Sequence, residues 1–227
     1  MTSGGKRTQS DLLFEAYLTS VGLCDFDFEP SVRVSGKRPD YAVRLGSETG
    51  FFEVMEFGRS DKYRAPWPNP ARRIREKITK AQKQLRGLTK NMCAIVLADP
   101  RGTRISLTAE TVYEAMLGDL AAIVPVDPCD EDVLAPLSRT PTGKMLRYRG
   151  DAVIGHQNTS ISAICVLNFA GAPNVAEERR EIRVTVYDNP YSTVPFPVTF
   201  PNGPYDMRYG PRDETIECTF AGRSPNY

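Results

Sequence analysis

The sequence has a single histidine, His156, among 227 residues. A metal centre built on several imidazoles is therefore excluded. No Ser/His/Asp or Cys/His set surrounds His156, so it reads as a structural or surface residue. No CxxC pair occurs among the five cysteines, Cys24, Cys93, Cys129, Cys165 and Cys218. Their odd number and scatter fit a reduced, cytoplasmic protein and argue against a cysteine zinc site. There is no P-loop, no GxGxxG and no repeat. No run approaches the roughly 20 apolar residues that span a bilayer. The opening residues, MTSGGKRTQSD, lack the apolar centre of a signal peptide. Excess charge of one sign is also missing: the net charge is +1. Any binding to nucleic acid must come from a local basic patch, with no membrane partner expected.

What is present suits one large mixed domain. The 41% hydrophobic fraction is enough for a buried core. Residues 1–9 are small and polar and read as a disordered tail. Ser10-Asp11 reads as a helix cap, followed by an apolar helix, Leu12 to Leu18, interrupted by Glu15 and expected to be buried on most sides. Phe26–Glu29 and Ser31–Val34 read as an extended, Pro-interrupted strand. Tyr41–Leu45 and Phe51–Phe57 read as strands joined across Gly46–Gly50. On the second strand, Phe51, Glu53, Met55 and Phe57 share one face, with Phe52, Val54 and Glu56 on the other. If the two runs pair as a hairpin, Asp40 and Glu53 converge.

A loop around Pro66-Trp67-Pro68 precedes a long helix over residues 71–88. Ile74, Ile78, Ala81, Leu85 and Leu88 give it one apolar stripe. Residues 71–90 hold eight basic side chains and one acid, Glu76. Lys77 and Gln84 flank the stripe on one side, Arg75 and Gln82 on the other. Cys93–Asp99 and Ser160–Phe169 read as buried strands. Thr108 caps a further helix, and residues 121–126 form a short strand or an apolar linker. Glu181–Tyr187 alternates strictly, as an outer strand with one wet face would. Residues 127–150 read as a long loop. The Pro-rich tail from Asp188 reads as an irregular strap, with a last strand at 215–220. Residues 10–126 form the expected core, and residues 127–227 complete the same domain.

The order is a helix with Glu15, a strand opening on Pro39-Asp40, a strand with Glu53-Val54-Met55, and a basic helix with Gln84. It resembles the PD-(D/E)xK nuclease superfamily, over roughly residues 10 to 100. The resemblance implies a restriction-endonuclease-like fold of α/β type, with a central mixed sheet between helices. It implies Mg²⁺ (or Mn²⁺) held by Asp40, Glu53 and the Val54 carbonyl, with Glu15 reaching the ion directly or through water. The reaction implied is phosphodiester hydrolysis, with DNA ranked before RNA as substrate and a homodimer allowed. Arg72, Arg73, Lys77 and Lys80 would make backbone contacts to nucleic acid.

One position departs from the pattern. Met55 stands where the family carries lysine, and a thioether neither donates a proton nor carries positive charge. Three explanations are open. Met55 can be an active-site variant of a nuclease. The lysine role can have moved to Lys77, Lys80 or Lys37. Or the domain can be an inactive module that binds nucleic acid or a protein. As the sequence stands, little or no cleavage is expected. Plainer readings also exist: Asp40 as a turn residue, Glu53 on an exposed edge, Glu15 on a solvent stripe, Gln84 as ordinary surface, and the basic helix as a solvated face.

Overall fold

The computed structural model describes residues 6–32, 38–58, 69–103, 105–122, 137–150, 152–170, 181–212 and 215–220. Helix α1 spans Gln9–Ser20 and β1 spans Phe26–Phe28. A hairpin follows, β2 (Tyr41–Leu45) and β3 (Glu48–Glu56). Then come α2 (Pro70–Leu85), β4 (Met92–Ala98) and α3 (Ala109–Leu117). Four short strands follow: β5 (Leu120–Ala122), β6 (Leu137–Arg139), β7 (Leu146–Arg149) and β8 (Ala152–His156). The chain continues through β9 (Ala163–Ala170), β10 (Glu181–Asp188), β11 (Met207–Arg212) and β12 (Thr215–Phe220).

The protein is an α/β protein with a central mixed sheet and, among the described residues, three helices. The sheet runs β1-β2-β3-β4-β9-β10-β11-β12. Strands β1 to β3 form an antiparallel meander, β4 lies parallel to both β3 and β9, and β11 is parallel to β10. The pairing of β4 with β9 joins the two halves of the sequence in one sheet. All seven residues of β4 are buried, as a strand covered on both faces requires.

Each face of the sheet carries its own apolar cluster. Ile74, Ile78, Ala81 and Leu85 of α2 and Val112, Tyr113 and Met116 of α3 join Phe51, Met55, Ile95 and Ile164 on one side. Phe14, Tyr17 and Leu18 of α1 join Phe52, Val96 and Cys165 on the other, where Phe196 and Phe200 of the tail close the layer. Among the described residues no helix is long and apolar enough to cross a membrane.

Several sequence expectations are corrected. Thr8, not Ser10-Asp11, caps α1. Asp11 takes the third helical position and accepts a hydrogen bond from the Thr8 amide, completing a capping box. Residues 6–9 are therefore placed, while residues 1–5 lie outside the described set. Helix α1 is buried on one face only, with Leu12 exposed. Helix α2 ends at Leu85, three residues early, because Gly87 and its neighbours leave the helix. The 127–150 stretch contains β6 and β7. Strand β10 is not an outer strand: β9 and β11 pair with its two edges, and Val184 to Tyr187 are all buried. Strand β11 replaces part of the expected irregular strap. Lys37, Trp67 and Cys129 lie outside the described residues, as do residues 33–37, which include part of the expected 31–34 strand.

Candidate metal centre

The β2–β3 hairpin closes through two residues, Gly46 and Ser47, with Leu45 paired to Glu48. Gly46 has φ +66°, the left-handed conformation that glycine adopts without a steric penalty. The turn length sets the register. Tyr41 pairs with Phe52 as the last pair of the ladder, and Asp40 and Glu53 follow just beyond it on the two chains. Asp40 is also tied to β3 by the Val54 amide, which donates to Oδ2 at 2.8 Å.

Glu53 is 2% exposed. It lies on the β3 face that meets α2, as the alternation expected. Gln84 of α2 donates through Nε2 to Glu53 Oε1. The other oxygen, Oε2, is buried and accepts no hydrogen bond. Burial pushes the Glu53 carboxyl up to about 9, and the charges of Asp40 and Asp11 add to the rise. Burial likewise raises Asp40, to about 6, against the stabilising Val54 amide. Asp40 acts directly on Glu53, so the two titrate as a coupled pair, a carboxyl dyad. Lys80 of α2 opposes both rises, so its charge reaches both acids.

The structure brings Gln84 onto Glu53 and sets the charges of Asp40 and the exposed Lys80 within electrostatic reach of it. It does not bring Glu15 to the pair: that carboxylate accepts from Arg7 Nε at 2.5 Å and from the Tyr41 hydroxyl at 3.0 Å. The acid of α1 that acts on both Asp40 and Glu53 is Asp11. Sequence reasoning missed it by treating Asp11 as a cap. The signal was there, because Thr8-x-x-Asp11 is a capping-box spacing that sets Asp11 one turn inside α1.

Met55 is 3% exposed and sits within the apolar cluster of Phe51, Phe57, Ile74 and Ile78. It is a core residue rather than an open site position. Lys77 is bound elsewhere as well: Nζ donates to the Glu56 carbonyl at 2.8 Å and lies over the Phe57 ring. Glu56 points to the opposite face, accepting from Ser10 of α1 and pairing with Arg101 at 2.9 Å. Arg72 and Arg73 both pair with Glu76 on the surface of α2.

Among the described residues no group of three or more His, Cys, Asp or Glu is placed to hold a metal ion. The donor set is therefore the dyad itself. A buried carboxylate oxygen without a donor, beside a second carboxyl, has the donor chemistry that a hard cation takes. No family model matches the chain, and no curated protein or solved structure matches it.

Proposed function

We propose that the chain is a metal-dependent nuclease of the PD-(D/E)xK type, with Asp40 and Glu53 as its carboxylates. The observation that carries this reading is the cross-strand dyad with Glu53 Oε2 left without a donor. The order of elements supports it. A helix, a three-stranded meander, a crossover helix and a parallel fourth strand is the arrangement expected of a restriction-endonuclease-like fold.

Asp40 and Glu53 would hold Mg²⁺ or Mn²⁺, which when bound supplies an acidified water and offsets charge on the phosphoryl oxygens. The protein's own residues set up that chemistry. Gln84 fixes Glu53 through Oε1 and leaves Oε2 for the ion. The Val54 amide fixes Asp40. Lys80 takes the place of the missing strand lysine, since its charge reaches both carboxyls from α2. A surface lysine is a looser charge stabiliser than one rooted in the strand. Loss of one well-placed stabiliser of this kind costs roughly 10²–10³-fold in rate, so slow cleavage is expected.

The second reading is a silent module on the same fold. Burial of Met55 in the core favours it, because the strand offers no cation at all. Calorimetry with Mg²⁺ and Mn²⁺, paired with plasmid and RNA cleavage, separates the two. The wild type should bind metal and cut slowly. Asp40→Asn should lose both properties, Lys80→Ala should lose cutting alone, and Met55→Lys should cut faster. Metal binding with no cleavage by either the wild type or Met55→Lys would establish the silent module. No metal binding by the wild type would reduce the dyad to a structural pair of coupled carboxyls.

A further inference from the structure

Helix α2 has a second working flank. Its carboxyl-side flank carries Lys77, Lys80 and Gln84. Its other flank, with Arg72, Arg75 and Thr79, forms one wall of a groove of about 870 Å³. The opposite wall is the β7–β8 hairpin and the segment leading into it. Lys144, Arg147, Tyr148 and Gln157 line that side. A smaller cavity of about 380 Å³ shares Thr79, Lys144, Arg147 and Gln157 with the groove and extends it to His156. A volume of this order suits a small organic ligand.

The groove is built. Gly143 and Gly118 cross so closely that a Cβ on either would strike backbone, which clamps the base of the hairpin to the end of α3. Gln157 donates to the carbonyls of Gly143 and Leu146, and the Asn158 amide donates to that of Lys144. Arg75, 9% exposed, sits on the α2 wall. Its Nη2 is held by Asp119 and by the Glu114 carbonyl, while its Nε–H is buried without an acceptor. Among the described residues, neither Lys144 nor Arg147 has an acidic partner. Glu76 is the one acid among the described residues of the lining, and it is engaged with Arg72 and Arg73. At the far end, the His156 ring stacks on Tyr191 with centroids 4.0 Å apart and planes 12° apart. His156 is exposed and lines this extension of the groove.

We infer that this groove is a separate ligand site for a nucleoside phosphate. Arg72, Lys144 and Arg147 hold the phosphate, the Arg75 guanidinium adds positive charge behind them, and the His156–Tyr191 stack carries the base. Basic side chains beside an aromatic platform match the two parts of a nucleotide: phosphate takes charge-assisted hydrogen bonds, and every base offers a π face. The same chemistry occurs in a free mononucleotide and in one unit of an oligonucleotide. The inference does not depend on the dyad, from which α2 separates the groove.

The test is fluorescence anisotropy with a labelled oligothymidylate of about 12 nucleotides, competed by AMP and by inorganic phosphate. The exposed Arg147→Glu and the double variant Lys144→Glu/Arg147→Glu should weaken binding by about ten-fold or more. His156→Ala should weaken the oligonucleotide and AMP by about five-fold while leaving competition by inorganic phosphate unchanged. Binding is read in EDTA, so that no metal at the dyad contributes to it, which separates this site from the nuclease reading. Strong competition by AMP marks a free-nucleotide site, and weak competition marks a site for a chain. The inference is overturned if wild type binds neither probe, if the charge reversals leave binding intact in folded protein, or if inorganic phosphate competes as well as AMP.

Discussion

Glu53 is the residue at which burying charge costs most, and its effect on stability has a definite sign. Its carboxyl is raised from an ordinary 4.5 to about 9, and Asp40 from 3.8 to about 6. A raised carboxyl binds its proton more tightly in the folded state than in the unfolded one. Without metal, the stability from that proton is complete below the unfolded values. It is lost as pH rises towards the folded ones, at up to about 1.4 kcal/mol per pH unit for each proton. Denaturant titrations in EDTA between pH 5 and pH 8.5 should therefore show falling stability. Glu53→Gln keeps the shape without the charge and should flatten most of the decline. A wild type that gains stability over this window in EDTA would contradict the dyad. The approach of Asp40 to Glu53 was legible in the sequence because period-two alternation fixes the face of a side chain, whereas Gln84 was named through the resemblance. Lys80 was named there as one of three positions to which the lysine role could have moved, and Asp11 only as part of a cap. Their action on the dyad was not legible, because it depends on how α1 and α2 dock on the sheet.

At the scale of elements, the tail is fastened by the buried Asp206 and the partly buried Arg208 as well as by Phe196 and Phe200. Asp206, 1% exposed, accepts from the Tyr17 hydroxyl of α1 at 2.6 Å, the Val184 amide of β10 at 2.6 Å and the Gly203 amide at 2.5 Å. Arg208 of β11 pairs with Asp188 through both Nε and Nη2 and donates to the carbonyls of Phe196, Pro197 and Phe200. Asp206→Ala should cost roughly 3–5 kcal/mol, since it strands three donors, as read by chemical denaturation. A loss under about 1 kcal/mol would show that the tail docks without it. These fastenings explain what the sequence concealed. Strand β4 and helix α2 announce themselves by an unbroken apolar run and a clean stripe. Strand β11 contains Gly210 and Pro211 and pairs in parallel with β10, so nothing local marks it. Strand β10 reads as half-wet, yet Tyr187 is buried against Tyr113 and stacked on Tyr209. The β7–β8 hairpin turns at Gly150, φ +59°, between strands of only four and five residues, and the apolar residues of β8 are exposed, so no buried run marks it.

For the whole molecule, the sheet is the continuous element and its centre the most enclosed part. Strands β3, β4 and β9 are covered on both faces, whereas β8, paired only with β7, carries exposed Val153 and Ile154. Amide hydrogen exchange should be slowest across β4 and β9 and much faster in the β7–β8 hairpin. Equal protection of the two regions would mean that the hairpin belongs to the core unit. The near-neutral net charge hides a local asymmetry, because the basic residues of α2 face two ways. Lys80 faces the dyad and Arg75 faces the groove.

The Gly46–Ser47 turn imposes a constraint counted in chain length rather than in residue identity. Surface turns are where insertions and deletions usually accumulate, because little packs against them. Here one added residue would shift the pairing by a step and turn every β2 side chain to the wrong face relative to β3. Asp40 would leave Glu53, although the turn itself touches neither. Ser47 could drift to many residues, but the two-residue count could not change without dissolving a site at the other end of the hairpin.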